Sequence, residues 1–162
     1  MAIHKLDYGE FDEIDYNLLA IHTTLEDYRL AYFINQRLDV KLNKSSKEIL
    51  INDKEGEVHF SRFHYYEKKK DISWDLIQNI NEVIQQKREG NQNLFTNFDI
   101  EVAKKVYMIP EFKKVNYFLK IENSEDNTNL LEIQSELNSI DQIAANYIVD
   151  INKIKSKNNL IF

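Results

Sequence analysis

Apolar residues recur along this chain with two periods, one of strands and one of helices. Residues 15–23 read Asp-Tyr-Asn-Leu-Leu-Ala-Ile-His-Thr. Leu19 and Ile21 share one parity and Leu18 and Ala20 the other, which is the pattern of a strand covered on both faces. Helical spacing follows in Leu30, Phe33, Ile34 and Leu38, with Arg37 the polar member of the same stripe. Thr23 and Glu26 stand at capping-box spacing, so the helix is expected to start there and to end near 37–39. Residues 48–52 and 57–66 are extended runs on either side of Asp53-Lys-Glu-Gly56, a charged loop whose glycine can supply positive φ, and together they predict a hairpin. Lys68-Lys-Lys-Asp71 makes the next turn. Ile72, Trp74 and Leu76 then alternate with Ser73 and Asp75, a strand with one apolar face. Residues 79–81 read as a further turn and 82–85 as the returning strand, so the middle of the chain is expected to be an antiparallel meander.

Residues 88–97 have the composition of a flexible loop. Strands are expected at 102–108 and 117–122, around Pro110, and a polar turn at 123–129. A second helix carries Leu130, Ile133, Leu137 and Ile140, and 143–149 is the last strand. Each helix thus lies between strands, so each end of the chain offers a β-α-β unit. Right-handed crossovers would put both helices on one face of a mostly antiparallel sheet. The fold class is α+β, a two-layer sandwich with two helices packed on one face.

Composition sharpens this picture. At 162 residues and 43% hydrophobic, the chain is read as a single domain over 1–162. It has a 1–14 arm rich in acids, the 88–97 loop, and a 156–162 tail. Without cysteine, disulfide, thiolate and iron–sulfur chemistry are excluded. No stretch approaches the roughly 18 consecutive apolar residues of a membrane helix. The first residues lack the pattern of a signal peptide, so a cytoplasmic address and no membrane partner are expected. Net charge is −6. It is concentrated in residues 1–27, where seven acids meet only Lys5. The balanced remainder has no field to draw in nucleic acid, which is not expected as a partner.

The segment Ile109-Pro110-Glu111-Phe112-Lys113-Lys114-Val115-Asn116-Tyr117 resembles the signature of the IPExxxVDY family of Bacteroidetes bacteria. His4-Lys5-Leu6, residues 24–35 and the closing 155–162 fit the wider pattern. The resemblance implies a small protein of unassigned activity. It departs at Asn116, where the motif has Asp, so no catalytic carboxylate carries over to that position.

Candidate chemistry is sparse. Proline locks φ and biases Ile109 toward extended geometry, so Ile109-Pro110-Glu111 reads as a rigid turn with a paired Glu111. The sharper alternative has Glu111, Asn116 and Tyr117 contacting a ligand, or Glu111 and Tyr117 serving a small enzyme with a folded-in His. Glu10, Asp12, Glu13 and Asp15 could hold a hard cation, yet match no complete loop motif and read as a solvated arm. His4, His22, His59 and His64 have no metal-ligand spacing. No catalytic residue, metal ligand or cofactor is therefore assigned. Lys68, Lys69 and Lys70 beside Trp74 are the nucleic-acid alternative, with bases stacking on the ring, although Glu67 and Asp71 flank the lysines. Leu160, Ile161 and Phe162 are apolar residues that must pack somewhere, in this domain or in another protein. The resulting expectation is a non-catalytic binding, adaptor or regulatory domain whose partner is another protein or a second copy.

Overall fold

The computed structural model describes residues 16–54, 56–88, 99–122 and 129–162. The acidic arm and the histidine within it lie outside these residues. So do nearly all of the 88–97 loop and of the polar turn before the second helix.

Six strands form one antiparallel sheet, with β1 (Tyr16–Thr23), β2 (Asn43–Lys44), β5 (Arg62–Glu67), β6 (Ile72–Gln78), β9 (Tyr117–Glu122) and β10 (Ile143–Ile148) in the order β10-β1-β9-β6-β5-β2. β1 runs antiparallel to both neighbours, β9 and β10. Those two are therefore parallel to each other, and helix α2 (Leu130–Asn138) joins them across β1. Helix α1 (Asp27–Leu38) leaves β1 on the same side. Two separate ribbons complete the chain, β3 (Ile49–Asp53) with β4 (Gly56–Phe60) and β7 (Ile80–Arg88) with β8 (Asp99–Tyr107).

Two apolar clusters explain why the central strands carry apolar residues at both parities. Leu19, Ile21, Leu119, Ile121, Trp74 and Leu76 face the helices, where Leu30, Ala31 and Ile34 of α1 and Ile133 and Leu137 of α2 meet them. The opposite parity, Leu18, Ala20, Phe118 and Ile77, faces a second cluster built from the β3–β4 ribbon, Val106 to Val115 and Val149 to Leu160. The α+β class and the helical layer follow the expectation. The second face is also covered, by ribbon and coil.

Local departures have local causes. The Thr23–Glu26 capping box does not form. Thr23 is still in β1, its hydroxyl donates to the carbonyl of Gln142 at 2.8 Å, and the helix begins at Asp27 with Glu26 as an N-cap lacking a side-chain bond. Asp39 ends the helix in the left-handed region at φ 51°. The hairpin glycine, Gly56, has φ 123°. The long extended run after it divides at Ser61: β4 stays with β3, while β5 joins the main sheet. Residues 79–81 are not a hairpin turn. β6 passes almost directly into β7, which leaves the sheet to pair with β8.

Candidate functional site

The Ile109–Tyr117 segment owes its shape to Asn79. This asparagine is fully buried. Its side-chain amide donates to the carbonyls of Phe112 and Val115 at 2.9 and 2.8 Å, and its carbonyl oxygen accepts from the Ile109 N–H at 2.8 Å. Its backbone adds two more bonds, to Asn116 and Met108. Pro110 opens a short 3-10 turn through Phe112, and the side chain of Asn79 fills the centre of the loop. A buried amide with every group satisfied is a rigid clamp.

The expected site residues are dispersed around this clamp. Glu111 is exposed and accepts from the backbone N–H and hydroxyl of Ser156, at 3.2 and 2.9 Å, so it pins the incoming tail. Asn116 accepts from the Thr23 N–H at 3.0 Å and ties β9 to the end of β1. Tyr117 points to the helix face and donates to the carbonyl of Leu25 at 2.8 Å. Burial, then Asp27 and Glu26, push its hydroxyl up to about 12. Glu111 and Tyr117 therefore lie on opposite sides of the sheet. A shallow groove of about 450 Å³ runs between the turn and Tyr147.

The tail divides at its last residues. Leu160 is fully buried in the second cluster, while Ile161 and Phe162 are exposed. The Phe162 ring lies over two cations, with the Arg62 guanidinium carbon 4.6 Å and the Lys120 ammonium 4.5 Å from its centroid. These cations belong to a buried polar row. Asp75 accepts from Arg62 Nε at 2.7 Å and bonds the His64 ring nitrogen Nδ1 at 2.8 Å. Its neighbour on β9, Lys120, donates to the Leu160 carbonyl at 2.7 Å, pairs with Glu122 and lies 4.9 Å from the Tyr16 ring. Burial, then Glu122, raise the Tyr16 hydroxyl. Every charge in this row has a partner, as burial requires.

Lys68, Lys69 and Lys70 are exposed at the β5–β6 turn, where Lys70 pairs with Glu67 at 3.1 Å. Trp74 is not beside them on the surface. It is 5% exposed and packs beneath the helices, so its ring is not presented to a stacking base.

That burial creates the most distinctive hollow. A crevice of about 330 Å³ lies between the end of α1, the β5–β6 hairpin and the outer turns of α2. Trp74 lines it, and the indole N–H has no acceptor among the described residues. Four carboxylates (Asp39, Glu67, Glu132 and Glu136) and two bases (Arg37 and Lys70) stand around it. Asp39, Glu132, Glu136 and Arg37 make no ion pair among the described residues. No family model, curated protein or solved structure matches the chain. A wider depression of about 910 Å³ beside the β3–β4 ribbon is an open surface lined by exposed residues such as Lys47 and Leu50, with no buried polar group directed at a ligand.

Sequence reasoning missed Asn79, Asp75, Lys120 and the crevice. One signal was present: Lys120 interrupts Tyr-Phe-Leu-Lys-Ile-Glu, a strand apolar at both parities. A charge in such a run must find a buried partner.

Proposed function

We propose that this chain is a non-catalytic binding domain of the regulatory kind, and that it holds a small polar ligand in the crevice over Trp74. The observation that carries the reading is the crevice itself, about 330 Å³, with Ile72, Trp74 and Ile133 in its wall and charges of both signs around it. The crevice volume falls at the lower end of small-molecule sites, roughly 300–1,000 Å³. Among the described residues, Glu111, Tyr117 and Asp75 are engaged in structural contacts, with Ser156, with Leu25, and with Arg62 and His64. That favours binding over chemistry. The resemblance to the IPExxxVDY family and a cytoplasmic address belong to the same proposal.

Trp74 is the only tryptophan, so intrinsic emission reports on the crevice directly. A panel of small anions, cations, zwitterions and neutral metabolites should contain members that shift this emission and raise the melting temperature saturably. The bound compound should be recovered chemically unchanged. If no member moves either signal, the reading is wrong; if the bound compound is converted, its non-catalytic part is wrong.

A further inference from the structure

The two edges of the six-stranded sheet differ in kind. β2 is two residues long and carries Lys44, a short charged edge that resists pairing with another chain. β10, Ile-Ala-Ala-Asn-Tyr-Ile, has six residues and no Asp, Glu, Lys, Arg or Pro. Among the described strands only β1 shares that freedom from charge and proline, and β1 is enclosed between β9 and β10. β10 thus has the composition of an interior strand at an edge position. We infer that a second copy of this chain occupies the edge, with β10 pairing antiparallel to its twin about a twofold axis at Asn146. This goes beyond the crevice reading and does not depend on it.

The hydrogen-bonding groups of the edge are open. The Val149 N–H donates to the Leu18 carbonyl at 2.8 Å, so the alternation of an antiparallel ladder turns the N–H and C=O of Asn146 and Ile148 away from β1. Among the described residues no strand lies on that side. The Asn146 carbonyl accepts from the Gln134 side chain at 3.3 Å, and its second lone pair is left for a partner strand. Apolar side chains gather at the same edge. Tyr147 is 37% and Ile148 39% exposed, on opposite faces of the strand. As the helix of a crossover connection, α2 runs opposite to β10, and its Gln134 and Asn138 both bond to Asn146. Leu131, one turn before Gln134, therefore lies level with Ile148, and it is 70% exposed.

Self-complementarity selects a second copy over an unrelated strand. With the axis at Asn146, Tyr147 falls opposite the partner's Ala145 and Ile148 opposite the partner's Ala144, a large side chain against a small one each time. Two N–H···O bonds link Asn146 with the partner's Asn146. A charged strand would oppose like charges when paired with its own copy, and this one has none to oppose. A stable interface buries roughly 800 Å² per partner, more than a six-residue strand supplies, and the exposed flank of α2 at Leu131 extends the contact.

The full chain should sediment as a dimer at micromolar concentration. Tyr147→Lys combined with Ile148→Lys puts two charges on the edge at exposed positions. This variant should keep the parent's circular dichroism and Trp74 emission and dissociate at least tenfold more readily. The register is read separately, because the chain has no cysteine and any introduced thiol is unique. Ala145→Cys and Tyr147→Cys chains, mixed and oxidised, should crosslink, since directly opposed residues lie about 4.5–5.5 Å apart. Either alone should crosslink at least tenfold less, its twin being two residues out of register and beyond disulfide reach. A chain that stays monomeric at every concentration overturns the inference. So does an undiminished dimer in a natively folded double-lysine variant. Should that variant unfold, the thiol pair decides alone: crosslinking without preference for the mixture refutes the pairing of β10 with its twin.

Discussion

Replacing Asn79 by alanine tests the clamp that gives the Ile109–Tyr117 segment its shape. The substitution removes three hydrogen bonds at once and leaves the carbonyls of Phe112 and Val115 and the N–H of Ile109 without their partner. Ile109 and Val115 are buried, so water has little access to the vacated groups. Each unsatisfied buried group costs about 1–3 kcal/mol, and partial relaxation of the loop makes the total smaller than a simple sum. A loss of about 3–6 kcal/mol is expected, a large share of a typical domain's stability. At roughly 2–4 °C per kcal/mol, the melting temperature should fall by on the order of 10 °C. Asn79→Asp is the informative companion. It preserves shape and the acceptor for Ile109 but sets an anionic oxygen against two carbonyls. It should be less stable than the alanine variant at neutral pH. Because the folded state raises that carboxyl's affinity for a proton, some stability should return as the pH falls and a donor is restored. Urea denaturation followed by Trp74 emission and by circular dichroism measures both. An alanine variant within about 1 kcal/mol of the parent would show that Asn79 merely fills space.

Tyr117 and Leu160 give two further tests. Between pH 10 and about 12 the unfolded chain releases the Tyr117 proton while the folded chain keeps it, so stability falls as the pH rises through this window. The full effect is about 2–3 kcal/mol. Tyr117→Phe should be about 1 kcal/mol less stable at pH 7, through loss of the bond to Leu25. Its stability should overtake the parent's near pH 11, and parallel pH profiles would refute the assignment. Leu160→Ala should cost about 2–5 kcal/mol with unchanged gel-filtration volume, because Leu160 is fully buried within its own domain. A stable variant with altered elution would move Leu160 to an interface.

The sequence was most legible where both parities were apolar. The bounds of β9 emerge as expected because Tyr-Phe-Leu-Lys-Ile-Glu is flanked by Asn116 and Asn123, whereas β10 stops at Ile148, one residue short of the expected 149. Legibility failed wherever pairing decided the outcome. Nothing near 79–81 says that the strand beyond Asn79 will pair with β8 and not return along β6. Asp75 sits at a polar position of an alternating strand, a pattern that does not announce a buried charge. It is buried because Arg62 and His64, more than ten residues earlier, converge on it. Trp74 lies on the apolar face that its alternation with Ser73 and Asp75 predicts, and its burial under two helices from distant parts of the chain removes the alternative of a ring stacking with bases beside the lysines. The crevice was invisible because its three walls are separate in sequence.

The arrangement of β1 between β9 and β10 has a consequence for biosynthesis. This strand leaves the ribosome before its partners, which are encoded on the order of 100 residues later. At roughly 5–20 residues per second, Leu18, Leu19 and Ile21 wait for several seconds as an uncovered, sticky segment. In a chain of this topology that segment gains its cover only once β9 and β10 have been translated.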